Sequence, residues 1–174
     1  MNIDRESVIL IPVPAAISIV GKWREKYDPV ALHGVPPHIT VIFPFKNPDL
    51  INDKIINLIR KFFSKVKQFQ LSLVRINTFP GVVYLEPEPK EKFIDLIKGI
   101  VNIFPENPPF EGKFEKIIPH LTIGNKLQNL EQAKTEIYQD IISKLPIKAL
   151  ATEASLMESK DGEWSVKEKF PFVT

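Results

Sequence analysis

The stretch Pro37-His38-Ile39-Thr40-Val41 constrains this chain most, because it occurs twice. The second copy, Pro119-His120-Leu121-Thr122-Ile123, keeps the order proline, histidine, aliphatic, threonine, aliphatic. A strand sends residues i and i+2 to one face. As a strand, the first copy puts His38 and Thr40 on one face and Ile39 and Val41 on the other, and His120 and Thr122 repeat that arrangement. Two such strands facing each other make a pocket with two imidazoles and two hydroxyls.

The rest of the chain reads as a frame for that pair. Residues 7–13 form an apolar run, expected to be a buried strand. Ile17, Val20 and Trp23 mark a helix over 14–27, with Trp23 as core packing. A loop over 28–37 carries His33, expected in solvent or near the cleft rim. The first motif strand spans 38–43. Asn47-Pro48-Asp49 signals a helix start, and a helix follows over 51–66. Alternation over 69–79, the turn Pro80-Gly81 and a return over 82–85 make a hairpin. The second half repeats this order: helix 89–104, motif strand 116–124, helix 130–145, strand 147–159, turn 160–162, strand 164–170. The expected class is α+β, a two-lobed, pseudo-two-fold duplicated unit. Its sheets are mainly antiparallel, its helices lie outside, and a central cleft carries the motif strands. The expected organisation is one two-lobed domain over 1–174, with approximate repeats 14–86 and 89–171.

Histidine titrates near neutrality, so it gives or takes a proton at modest cost. Cleaving a phosphodiester needs two proton transfers: one activates the attacking oxygen, the other protonates the leaving oxygen. Two imidazoles on opposite sides of one phosphorus supply both. Thr40 and Thr122 can donate hydrogen bonds to the phosphoryl oxygens, which gain charge in the transition state. A lone strand histidine is more often an ordinary core or surface residue, so the repetition carries the functional reading.

This paired His-x-Thr-x signature resembles the 2H phosphoesterase superfamily, which includes 2′-5′ RNA ligases and 2′,3′-cyclic phosphodiesterases. The lead-in Gly34-Val35-Pro36-Pro37 and the follow-on Phe43-Pro44-Phe45 are similar to that family too. The resemblance implies a metal-independent phosphoesterase, free of cofactors, acting on 2′,3′-cyclic phosphate or 2′-5′ phosphodiester bonds. Joining RNA ends by 2′-5′ ligation is the reverse chemistry. It also implies His38, Thr40, His120 and Thr122 as the catalytic set, with His120 as base and His38 as acid. The symmetry of the two motifs permits the opposite assignment.

Composition narrows the alternatives. A formal net charge of +2 in 174 residues lacks the basic excess of a protein gripping long duplex nucleic acid. The expected partners are RNA ends or small nucleotides, held by a monomer. Without cysteine there is no thiolate nucleophile, disulfide or thiolate metal site. His-x-Thr is not a recurrent zinc-ligand spacing, so no metal is expected. Seven glycines include no phosphate-loop pattern. No apolar run is long enough to span a bilayer, and 8–13 is too short for a signal peptide, so a cytoplasmic location is expected. Candidate substrate-binding residues are Arg75, which interrupts an alternating strand, Tyr84 and Phe45 for base stacking, and Lys126 for phosphate; Lys46 is weighed beside Lys126. Two other functions remain open: a non-catalytic RNA-end or nucleotide binding module, and a phosphodiesterase for small cyclic phosphates of ADP-ribose.

Overall fold

The computed structural model describes residues 5–113 and 116–174. Within them, eight strands and four α-helices alternate: β1 (Ser7–Pro12), α1 (Ile17–Tyr27), β2 (His38–Ile42), α2 (Asp53–Phe63), β3 (Phe69–Phe79), β4 (Val82–Glu88), α3 (Lys90–Ile103), β5 (Leu121–Gly124), α4 (Leu130–Ile141), β6 (Ile147–Ala151), β7 (Glu153–Lys160) and β8 (Glu163–Pro171). The strands form one sheet in the order β6-β3-β4-β5-β2-β1-β7-β8, and every strand pair in it is antiparallel. The fold is α+β, as expected.

The order shows how the two halves interlock. The first motif strand, β2, sits beside β1 and the β7–β8 hairpin of the second half. The second motif strand, β5, sits beside the β3–β4 hairpin of the first half. Only the Ile39–Leu121 pair joins β2 to β5, so the two four-strand halves meet at the motifs. Helix α1 packs on β5 and α3 on β2, an exchange that ties each half to the other.

One face of the sheet is the main core. Ile11, Ile39, Leu73, Leu85 and Leu121 are fully or almost fully buried there, with Phe63, Phe93 and Phe170. Asn52 caps α2 by accepting from the Ile55 N–H, and Asn129 caps α4 by accepting from the Gln132 N–H. On the opposite face a smaller cluster of Val8, Leu10, Val35 and Met157 packs with Phe43 and Trp164.

Several boundaries differ from the sequence reading. The first helix opens as a 3-10 turn at Pro14–Ala16, and the helix expected over 51–66 is confined to Asp53–Phe63. The second motif strand begins at Leu121, and residues 116–120 lead into it without pairing; 114 and 115 lie outside the described residues. The strand expected over 147–159 divides at Thr152, where the chain leaves β6 against β3 and enters β7 against β1. Apolar residues continue through the break because the alternating, half-buried β6 runs straight into β7, whose residues 154–157 are buried on both faces.

A bulge accounts for a side chain on the unexpected face. Ile9 pairs with Ile42 but Leu10 pairs with Thr40, so Val41 is an extra residue in β2. Val41 and Ile42 both enter the main core, parity flips, and Phe43 emerges on the other face against Trp164, with ring centroids 6.3 Å apart. Strict alternation places Phe43 in the core with Ile39. The second motif has the same device: Val83 pairs with Gly124 and Tyr84 with Thr122, leaving Ile123 extra.

Candidate active site

Each motif histidine is held by its own lead-in. Gly34 has φ of 93°, and a Cβ there would lie 2.6 Å from the Trp164 carbonyl oxygen, so glycine is required. The Val13 N–H donates to the Pro37 carbonyl at 2.8 Å and pins the lead-in to the end of β1. His38 then opens β2, with its Nδ1 2.8 Å from the Pro36 carbonyl oxygen. His120 repeats this with its Nδ1 2.7 Å from the Ile118 carbonyl oxygen. A carbonyl only accepts, so Nδ1 carries the proton in both rings and Nε2 keeps its lone pair.

Register sets the four polar side chains against one another. Ile39 is opposite Leu121. One residue to either side, His38 is therefore opposite Thr122 and Thr40 opposite His120. Continued from that single pair, the register is crossed: each histidine lies level with the threonine of the other copy. Tyr84 continues the Thr122 row onto β4. The bulges come directly after Thr40 and Thr122 and end the regular ladder at the site.

Burial dominates the electrostatics. It pushes the His38 imidazole down to about 4; the Pro36 hydrogen bond opposes this, while the Arg24 and His120 charges add to it. His120 is also lowered by burial, against the Ile118 bond. Both rings are neutral at neutral pH in the free protein. Phe79 lies edge-on to His120, with centroids 5.2 Å apart, and Tyr84 lies 5.3 Å from the same ring.

The other expected residues divide. Arg75 pairs in register with Glu86, on the face that carries Tyr84. Its side chain is 62% exposed, and its guanidinium already meets Glu86 at 3.3 Å and Glu88 at 3.6 Å. Tyr84 is beside the site but buried, its ring stacked under Phe79 with centroids 4.2 Å apart, so it offers no free face to a base. Phe45 is a correction: it is buried against Phe104 in the main core, because the chain turns inward after Pro44. Lys126 sits in the loop after β5 and lines a separate hollow of about 570 Å³ between the end of α1 and the start of α4. Lys46 is engaged by Glu106 and Asn107. His33 is half-exposed and paired with Glu163, and Trp23 packs on the core and donates its Nε1–H to Asp140.

Sequence reasoning missed four residues. Phe79, at the end of β3, covers Tyr84 and lies edge-on to His120, a long-range contact that no local sequence pattern signals. Glu86 is buried, accepting from Asn77 Nδ2 at 2.6 Å and from Lys90 Nζ at 3.0 Å. Arg24 and Asp28 form a buried pair behind the first lead-in. Among the described residues, no cluster of three or more His, Cys, Asp or Glu side chains is placed to hold a metal ion, and no helix is long and apolar enough to cross a membrane.

The arrangement can present two neutral imidazoles and two hydroxyls to one small tetrahedral group. A family model described as the 2′-5′ RNA ligase superfamily matches residues 11–163. A Bacillus cereus (strain AH820) protein named "Putative phosphoesterase" is 31% identical over 174 residues, covering 94% of each chain. A protein of the same name from Bacillus pumilus (strain SAFR-032) is 26% identical, again over 94% of each. Among solved structures, E. coli LigT complexed with 3′-AMP superposes with a TM-score of 0.61 at 16% identity, over 98% of this chain and 99% of that one. TT0787 of Thermus thermophilus gives 0.64 at 16%, over 96% and 97%. These two likenesses are of fold.

Proposed function

The chain belongs to the 2′-5′ RNA ligase superfamily, and on that premise we propose that it is a two-histidine phosphodiesterase for 2′,3′-cyclic phosphate or 2′-5′ linked RNA ends. The observation that carries this reading is the duplicated bond from imidazole Nδ1 to the carbonyl two residues earlier. It fixes the same tautomer twice and leaves two Nε2 atoms for proton transfer. In hydrolysis one Nε2 takes a proton from the attacking water. The other ring, protonated, gives its Nε2 proton to the ribose oxygen as the phosphorus–oxygen bond breaks. Thr40 and Thr122 donate to the two non-bridging oxygens. Each proton transfer is worth about 10²–10⁴-fold in rate. With a 5′-hydroxyl in place of water, the same groups join ends by a 2′-5′ bond. Arg75, on the site face and largely exposed, is the cation best placed to meet a further phosphate.

Binding of small nucleotides fits the fold: LigT has been solved with 3′-AMP, ATP and NADP+. The carboxylates beside Arg75 favour a compact ligand over a long strand and support, as second reading, a small cyclic phosphate as substrate. One experiment tests both. The protein is incubated with an RNA oligomer ending in 2′,3′-cyclic phosphate and, in parallel, with a mononucleoside 2′,3′-cyclic phosphate and ADP-ribose 1″,2″-cyclic phosphate. Ring opening of the oligomer at the highest kcat/KM supports the RNA-end reading. Preference for either small substrate supports the second. Binding without turnover of any of them refutes both and leaves a binding module.

A further inference from the structure

Thr40 and Thr122 hold equivalent places in the two motifs, yet their neighbours on the next strand outward differ. On β1, Leu10 is level with Thr40. On β4, Tyr84 is level with Thr122. Leu10 is fully buried in the small apolar cluster with Val8, Val35 and Met157. Tyr84 brings a hydroxyl to the corresponding position, so the second half-site carries a polar group that the first lacks.

Tyr84 is only 3% exposed. Phe79 stacks on its ring, and His120 lies 5.3 Å away on β5, tilted by 59°. Phe79 is itself edge-on to His120. The three rings pack as one group, which holds the phenol against the imidazole while its backbone is level with Thr122. Neighbouring strands lie about 4.8 Å apart, less than the length of a tyrosine side chain, so the hydroxyl is within reach of a group held by His120 and Thr122. Among the described residues this hydroxyl has no hydrogen-bond partner. Glu86, two residues along the same strand, accepts from Asn77 and Lys90 and meets Arg75 instead. The wholly buried side-chain polar atoms without a partner among the described residues are Arg5 Nε and Asp28 Oδ1, so the small exposed part of Tyr84 includes its oxygen. A buried tyrosine ordinarily pairs its hydroxyl, and phenylalanine would pack these rings without that need. Burial and the Glu86 charge raise the phenol above its ordinary range, so it stays protonated and can donate at neutral pH.

We infer that Tyr84 is a third hydroxyl donor of the site, giving a hydrogen bond from Oη to the same non-bridging phosphoryl oxygen that Thr122 holds. This rests on the phosphodiesterase reading and adds no proton transfer: both transfers stay with the imidazoles, and Tyr84 keeps its proton. The oxygen on the Thr122 side then meets two donors and the oxygen on the Thr40 side one. The two non-bridging oxygens of a nucleoside 2′,3′-cyclic phosphate are stereochemically distinct. Sulfur is a weak acceptor, so replacing one oxygen or the other by sulfur reports the donors that each one meets.

The test compares wild type with Tyr84→Phe, which keeps the ring contacts, on uridine 2′,3′-cyclic phosphate and on the two diastereomers of its cyclic phosphorothioate. In the wild type, the diastereomer whose sulfur faces Thr122 and Tyr84 should lose more rate than the other. Tyr84→Phe should lower kcat on the oxygen substrate about 10–100-fold, the scale of one lost donor to a developing oxyanion. The rate loss caused by sulfur on the Tyr84 side should then shrink about tenfold, while that of the other diastereomer stays within about twofold. A role in packing alone would change all three substrates alike. Equal sulfur effects in the wild type, a Tyr84→Phe effect that falls alike on both diastereomers, or an unchanged kcat would each overturn the inference. So would a lowered melting temperature, which would mean that the hydroxyl is bonded within the fold. If the wild type turns over no phosphodiester, the phosphodiesterase reading fails, and titration with 3′-AMP judges the hydroxyl instead. Binding about tenfold weaker in Tyr84→Phe upholds the donor; equal binding, or none by either protein, overturns it.

Discussion

Acidification should destabilise this protein through His38 specifically. The unfolded ring titrates near 6.5, whereas burial holds the folded ring down to about 4. Between those values the unfolded chain binds more protons than the folded one, so stability rises with pH and is lost as pH falls from 6.5 toward 4. For these two values, linkage gives a loss of at most about 2 kcal/mol on going from about pH 8 to pH 5. In a chain of this length that corresponds to a melting-temperature drop of about 4–8 °C. His120, also lowered by burial, adds in the same direction. The perturbation that isolates His38 is His38→Asn: the amide can donate to the Pro36 carbonyl but cannot titrate. Urea unfolding of both proteins at a series of pH values measures the difference. The wild type should lose about 2 kcal/mol more than the variant over that interval, with the curves converging in slope above about pH 7. Parallel curves throughout would mean that the folded ring titrates normally, and would refute the burial-based reading of the site.

Two further outcomes rest on the same geometry. Phe45→Ala, which empties a packed core position against Phe104, should cost about 3–5 kcal/mol of stability in chemical denaturation. Phe45→Leu should leave KM unchanged; a large KM increase in Phe45→Leu would restore Phe45 as a substrate contact. The reaction needs one ring neutral and one protonated, and both rings are lowered from 6.5, so kcat/KM should peak on the acidic side of 6.5 and fall at alkaline pH. The kcat profile should peak at higher pH, because a bound phosphate anion favours imidazolium. A kcat/KM plateau extending to about pH 9 would contradict this.

The duplicated motif made the shared placement of His38 with Thr40, and of His120 with Thr122, readable, because two-residue periodicity holds over the three residues that matter. It fails one step later. The bulges at Val41 and Ile123 each insert a residue that leaves no compositional mark, so neither Phe43 nor the residues after it could be placed by counting. The division at Thr152 was hidden because β6, which alternates, and β7, buried on both faces over 154–157, follow one another without a turn residue and read as one strand. The crossed pairing of each histidine with the other copy's threonine depends on the Ile39–Leu121 register, a long-range fact absent from either motif alone. Arg24 and Asp28 lie among Lys22, Glu25 and Lys26, and a charged run on an amphipathic helix reads as solvated surface. Only the packing of the 34–37 lead-in over the end of α1 turns that pair inward.

The most direct test of the central claim is a variant cycle on hydrolysis of a 2′,3′-cyclic phosphate, with EDTA present throughout. His38→Ala, His120→Ala and the double variant would be compared with wild type after circular dichroism shows that each is folded. If the two imidazoles act as one unit, each single substitution should lower kcat by about 10³-fold or more, and the double variant should fall no further than the worse single one. Turnover retained in either single variant, or losses that multiply in the double variant, would contradict a shared two-histidine site.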